Sequence, residues 1–228
     1  LTASALRART AEIGEKLDAG AIRRSDFNEF KDDCIGAAIL VERNLQRAAT
    51  LINNFKQVAV DQTAEHRRTF DVDHTVEEVV STLEFQVRTR SIAVHMDLHA
   101  DVTMDSYPGP LGQLIVNFFT NALVHAFPDD VSGNIWITCS RQGDDTVKIV
   151  FKDDGSGIPD AHIQKIFDPF FTTRMGQGGS GLGLSIAFNI ATGMLGGTLV
   201  VASAPGQGTK FTVVLPRVAP TAALAGVA

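Results

Sequence analysis

No lysine-bearing phosphate loop, no metal-spaced cysteines and no long apolar run occur in this chain of 228 residues. Its two cysteines, Cys34 and Cys139, lie far apart. They fit neither a zinc spacing nor a disulfide framework, so a reducing compartment is expected. No apolar run reaches the roughly 18–20 residues a spanning helix needs, and no signal peptide is visible. No membrane contact is therefore expected within the sequence, and a cytoplasmic location is. The chain begins with Leu1 rather than Met, so further residues are expected upstream, where any anchor of the full-length protein would lie. Basic residues are the minority, 20 against 26 acidic for a net charge of −6, which disfavours a nucleic-acid partner. What is present, 44% hydrophobic and 20% charged residues, suits one sizeable globular domain with an appendage, or two small domains.

Residues 1–66 read as a helical hairpin. A seam runs Phe27, Phe30, Cys34, Ala37, Val41, Asn44, Ala48, Leu51, Phe55, Val58 in alternating steps of three and four, the rhythm of a coiled coil or bundle. Asn44 is its polar member and sets register. Ala3, Leu6, Thr10, Ile13 and Leu17 keep the same rhythm, and Asp18-Ala19-Gly20 breaks it. Ser25 or Asp26 is the expected cap of the second helix. A hairpin of this size has little core of its own, so a homodimeric four-helix bundle is expected. The alternative is a hairpin packed on its own globular domain.

From Thr69 to Pro216 the pattern changes. Phe70-Asp71-Val72 predicts a short strand, and Asp73 a cap for a helix through Val76, Val79, Val80, Leu83 and Val87. Alternation predicts strands at Ile92–Leu98, Val102–Asp105, Ile135–Cys139, Val147–Phe151, Thr198–Ser203 and Thr209–Leu215. Helices are predicted over 108–127 and from Leu182 to about Leu195, with a mobile glycine-rich loop at 168–180. A mostly antiparallel sheet with helices on one face gives an α+β sandwich. The tail 217–228, Ala-rich with Pro220, is expected to be flexible.

Three segments carry chemistry. On the 108–127 helix, Leu111, Leu114, Ile115, Phe118 and Ala122 form the core stripe. Gln113, Asn117, Asn121 and His125 recur every fourth residue beside it. An amide oxygen is a hard ligand suited to Mg²⁺, which takes few protein ligands and several phosphate oxygens; a solvated polar face has the same spacing. Next, Asp153-Asp154-Gly155-Ser156-Gly157 closes an apolar strand. A buried carboxylate there can accept from the exocyclic amine of adenine, and the glycines let backbone approach a flat ring; an ordinary Asp-Gly turn reads the same. Third, Gly179-Ser180-Gly181-Leu182-Gly183 opens a helix, where exposed amides and the helix dipole attract phosphate. No Gly-Lys-Ser/Thr follows, and the third glycine comes one residue too early for a dinucleotide fingerprint; a flexible hinge is the plain alternative.

The order of these segments is more specific than any one of them: amide helix, Asp-x-Gly-x-Gly, phenylalanine-rich loop, Gly-x-Gly-x-Gly helix, then Gly206-x-Gly208-Thr209. Over residues 69–216 it resembles the catalytic ATP-binding domain of bacterial sensor histidine kinases. These belong to the ATPases shared with gyrase, mismatch-repair and chaperone proteins (the Bergerat or GHKL type). Residues 1–66 resemble the dimerisation and phosphotransfer hairpin that precedes that domain. The resemblance implies ATP and Mg²⁺ as cofactors, a homodimer through the hairpin and a response-regulator receiver domain as partner. It implies that Asn117 holds the metal, Asn121 and His125 contact the phosphates, and Asp153 reads the adenine amine with Thr209 in the same network. Gly155 and Gly157 would border the base. Phe167, Phe170 and Phe171 would anchor a lid from which Arg174 reaches the γ-phosphate, and Gly179, Gly181, Leu182 and Gly183 would cradle the phosphates.

Three departures from that pattern matter. Gln113 stands where hydrolytic relatives carry a glutamate, and glutamine cannot take a proton from water, so transfer to another nucleophile is expected over hydrolysis. Tyr107-Pro-Gly-Pro110-Leu replaces the Asp-Pro-x-Arg-Leu of kinases, leaving a helix entered through proline. The family's phosphoacceptor sequence, His-Glu-x-x-Asn/Thr-Pro, is missing: no histidine precedes His66, which sits in Glu65-His-Arg-Arg. The acceptor is expected upstream of Leu1. The competing readings are a nucleotide-binding pseudokinase or phosphotransfer scaffold, and a hydrolytic ATPase of the same superfamily.

Overall fold

The computed structural model describes residues 3–41, 67–87, 90–127, 131–174 and 179–220. The chain divides into two compact units, Leu1–Phe55 and Lys56–Ala228.

The first unit is a pair of helices, α1 (Ala3–Asp18) and α2 (24–41). Gly20, at φ +64°, turns the chain between them. Arg9 bridges the two helices by reaching Glu12, Glu29 and Asp33. The expected capping differs in detail. Asp26 lies inside the first turn of α2 and reaches back to the Arg23 amide at 2.9 Å, half of a capping box rather than the cap itself. Ile13 and Ala37 are buried, whereas Leu17, Phe27 and Val41 of the predicted seam are exposed within this unit. Asn44 and the rest of the seam to Val58 lie outside the described residues, as does His66.

The second unit has a two-stranded and a five-stranded sheet. Strand β1 (Arg68–Asp71) pairs antiparallel with β3 (Thr103–Ser106). The larger sheet runs in the order β2 (Ile92–His99), β4 (Gly133–Gln142), β5 (Thr146–Asp153), β7 (Thr209–Pro216), β6 (Thr198–Ser203), antiparallel except where β2 meets β4. Period-2 patterning places Ile135, Ile137, Cys139, Val147, Ile149, Phe151, Phe211, Val213 and Leu215 on one buried face. Helices α3 (Val72–Val87), α4 (Pro108–Asn121) and α6 (Gly183–Asn189) pack as a layer, giving the predicted α+β sandwich. A single turn, α5 (Asp160–Ile163), precedes the phenylalanine-rich loop.

Several local expectations are corrected. The cap of α3 is Asp71, whose Oδ1 accepts from the His74 amide at 2.8 Å, three residues on. Asp73 lies inside the helix and accepts from the Asp101 amide instead. Neither amide helix nor glycine helix continues as α-helix to its predicted end. α4 widens into a π turn at Ala122–Ala126, closed by Phe127 N–H to Ala122 O at 3.2 Å. α6 does the same at Ile190–Met194. Residues 217–220 are not a free tail: Arg217 N–H bonds Asp145 O, Ala219 N–H bonds Asp105 O, and Ala219 is buried. Of the predicted mobile loop, residues 175–178 lie outside the described residues.

Phe118 anchors the layers. Its ring stacks on Phe211 at 4.7 Å and lies 5.8 Å from Phe151, and Phe119 meets Phe151 edge-on at 6.0 Å, so α4 is fastened to the middle of the sheet. Phe118→Ala is expected to cost about 3–5 kcal/mol, read as a lowered urea midpoint for the second unit; an unmoved midpoint would remove Phe118 from the core.

Candidate functional site

Alternation along β5 carries Val147, Ile149 and Phe151 into the core, and the next residue in that phase is Asp153. Its side chain is 1% exposed. One carboxylate oxygen, Oδ1, accepts from the Gly155 amide at 3.0 Å and from the Thr209 amide at 3.2 Å. The other takes no hydrogen bond among the described residues. Burial pushes this carboxyl up to about 6, with Asp154's charge adding to the rise and the two amides pulling the other way.

The two turns that supply these amides fit into each other. At Gly157, φ +67°, a Cβ would run into the carbonyl oxygen of Ala204; at Gly208, φ +73°, it would run into that of Asp153. Gly206 N–H donates to Ser156 O at 2.8 Å across the gap. Ser203 Oγ closes the arrangement: it accepts from Ile158 N–H at 2.8 Å, donates to Gly208 O at 2.7 Å and lies 3.1 Å from Thr209 Oγ1. Thr209 therefore meets Asp153 through its backbone, and its hydroxyl faces Ser203. The first turn is tied to the end of α4 as well, Ser156 N–H and Oγ donating to Ala126 O and His125 O at 3.0 Å.

On α4, Asn117 is 8% exposed. Gln113 Nε2 donates to its Oδ1 at 3.2 Å, while its Nδ2 is buried without a partner. Asn121 follows one turn later, and the π turn carries His125 to Thr173 Oγ1, 3.3 Å from its Nδ1. Burial and the nearby Arg174 charge lower the His125 pKa.

A cleft with about 560 Å³ of atom-free space takes in Asn121, His125 and Gly157 among the predicted residues. Its remaining wall includes Ile158, His162, Phe171, Thr172, Thr173 and Leu184. Asp153 is not on that wall and joins it through the turn ending at Gly157. Asn117 lies one turn back along α4. Of the expected phosphate cradle, Gly183 opens α6 beside Leu184, but the Leu182 amide is already used by Ser180 Oγ at 3.3 Å. Gly181, φ +70°, lies against the Phe170 backbone and accepts its N–H at 2.8 Å. Among the phenylalanines, Phe167 packs on Phe188 and Phe171 on His162, whereas Phe170 is 58% exposed with φ +68° and anchors nothing by its ring. Sequence reasoning assigned no role to Ser203, His162, Thr172 or Thr173. Ser203 and His162 carry no motif; Thr172 and Thr173 follow Phe171 directly, their nearness to that loop the one available signal.

Residues 106–219 match the family described as Histidine kinase-, DNA gyrase B-, and HSP90-like ATPase. Sporulation kinase E of Bacillus subtilis (strain 168) is 28% identical over 178 residues, which is 78% of this chain and 23% of that protein. The chain thus spans about a quarter of the length of that curated relative. The catalytic domain of histidine kinase ThkA superposes with a TM-score of 0.59 at 27% identity, over 67% of this chain and 97% of the domain. ThkA solved in complex with the response regulator TrrA shares the fold over 94% of this chain and 59% of that one, with a TM-score of 0.61 at 21% identity. The chain belongs to the histidine kinase-, DNA gyrase B- and HSP90-like ATPases as an ATP-binding catalytic core of the sensor histidine kinase kind.

Proposed function

We propose that the second unit binds Mg·ATP and hands its γ-phosphoryl group to a histidine, from which a response regulator takes it. The observation that carries this reading is Asp153: a buried carboxylate with one oxygen held by two turns and the other left for a donor. An adenine amine matches that acceptor. Asn121 and His125 on the cleft wall would meet the phosphates, joined by the nearby Arg174 and the Gly179–Gly183 segment. The carboxamide oxygen of Asn117, which accepts from Gln113 Nε2, would trade that contact for Mg²⁺, and the bound ion would neutralise phosphate charge. Gln113 offers no base for water, so positioning and charge stabilisation serve a side-chain nucleophile. A homodimer through the helical hairpin belongs to the same reading, supported by the exposed Leu17, Phe27 and Val41, as does a cytoplasmic receiver-domain partner. Among the described residues no helix is long and apolar enough to cross a membrane. The scaffold alternative rests on the missing His-Glu-x-x-Asn/Thr-Pro sequence.

Asp153 sets two opposing outcomes. Its folded pKa, about 6, stands above the ordinary 3.8, so the folded state prefers the protonated form. That preference contributes stability that is full below 3.8 and lost as pH rises through 6, a difference of about 3 kcal/mol. Asp153→Asn keeps an oxygen for the two amides and removes the buried charge. It is expected to raise the urea midpoint of the nucleotide-free protein at pH 7.5, with the gap growing between pH 4 and 6, while ATP no longer raises the melting temperature. A variant that still gains stability from ATP would show that the base is read elsewhere. In the unmodified protein, ATP affinity measured by calorimetry is expected to be flat above pH 7 and to weaken as pH falls below 6, where Asp153 takes up its proton; affinity unchanged at pH 5 would contradict the role. Gln113→Glu is expected to increase phosphate release from ATP at least tenfold, and no increase would show that position 113 does not hold back hydrolysis.

A further inference from the structure

The five-stranded sheet has a second face, opposite the helices. Between residues 69 and 216 acidic side chains outnumber basic ones sixteen to eight, yet this face reverses the balance. Lys148 and Lys152 on β5 and Lys210 on β7 point to it, with His95 and His99 on β2. Its two carboxylates both have partners: Asp97 lies 2.9 Å from His99, and Asp154 accepts from the amide and the side chain of Asn134. None of the three lysines forms an ion pair among the described residues. Lys152 and Lys210 are moreover directly opposite each other across the β5–β7 ladder. Like charges in that position destabilise a sheet, and neither lysine is ion-paired among the described residues. Around the lysines the face is partly apolar: Val150, half-buried, lies between Thr138 and Thr212, and Val200 on the edge strand is 61% exposed.

We infer that this open face docks a protein partner whose contact surface is acidic and partly apolar, its carboxylates meeting Lys148, Lys152 and Lys210. Charge complementarity carries the choice of occupant. Single-stranded nucleic acid is disfavoured because the one large aromatic surface is already engaged: the Trp136 ring stacks on His95 at 5.5 Å and has Lys152 Nζ 5.0 Å from its centre, leaving no free platform for a base. An anionic membrane is disfavoured because the exposed apolar side chains are short valines on a sheet rather than aromatic or leucine residues on an amphipathic helix.

The test uses the full chain and three probes: a dye-labelled peptide of twenty glutamates interrupted by leucines, poly(U) RNA, and vesicles of phosphatidylglycerol with phosphatidylcholine. The peptide is expected to bind at low ionic strength, and the triple variant Lys148→Glu, Lys152→Glu, Lys210→Glu to weaken it at least tenfold, with the ATP-induced rise in melting temperature unchanged. Lys210→Glu alone is expected to raise the melting temperature of the nucleotide-free protein, because it turns a like pair into an opposite one. Failure of the peptide to bind, binding untouched by charge reversal, tighter capture of RNA or vesicles, or a lowered melting temperature for Lys210→Glu would each overturn the proposal. The ATP response of the same samples reports separately on the nucleotide cleft.

Discussion

The site depends on a carboxylate that the fold holds out of water. Asp153 ends the central strand β5, and its burial is tolerated because two backbone amides from two different turns meet one of its oxygens. Neither amide is a side chain, so neither can be lost by substitution without changing the path of the chain. That path is forced by glycine where Gly157 passes Ala204 and Gly208 passes Asp153, approaches that leave no room for a Cβ. Ser203 then fastens both turns with one hydroxyl. Removing solvent from Asp153 raises its pKa and costs stability; it also leaves a strong acceptor where a ligand donor can pair with it.

The amide helix answers the same constraint from the other side of the core. Phe118 fixes α4 against Phe151 and Phe211, the neighbours of Asp153 and Thr209 on β5 and β7. With the core face so pinned, the adjoining face presents Asn117 and Asn121 in a fixed relation to the end of the sheet. The π turn that follows brings His125 beside Thr173 and lets its carbonyl and that of Ala126 accept from Ser156. Local widening of a helix thus joins the amide stripe to the Asp-Gly turn. Both halves of the site share a core, so packing and ligand geometry cannot change independently.

Much of this is legible in the sequence. The α+β sandwich followed from strand alternation and the 3.6-residue stripe of α4, because these periods are set by backbone geometry. Asn117, Asn121, Asp153 and the glycine turns were legible because their order along the chain is unusual. The misreadings have local causes. Asp73 and Asp71 are equally good caps by composition, and only the start of α3 at Val72 decides between them. Phe170 has the same chemistry as its neighbours, but a left-handed backbone turns it outward. Residues 217–220 look like a frayed end, yet their backbone finds partners on β3 and in the β4–β5 turn, a pairing no local pattern encodes.

The sequence by itself determined which groups are available: a carboxylate in core phase on a strand, carboxamides in step on a helix, glycines where a chain must turn, and no base at position 113. These are matters of residue type and period, which local covalent geometry sets. Tertiary structure alone decided what those groups do to one another. It assigned Thr209 to Asp153 through its amide, made Ser203 a hub, spent the Leu182 amide on Ser180 and gathered lysines on the uncovered side of an acidic unit. Each of these is a contact or a clustering between residues distant in the chain or dependent on a turn's exact course, and such relations exist only once the backbone has closed on itself.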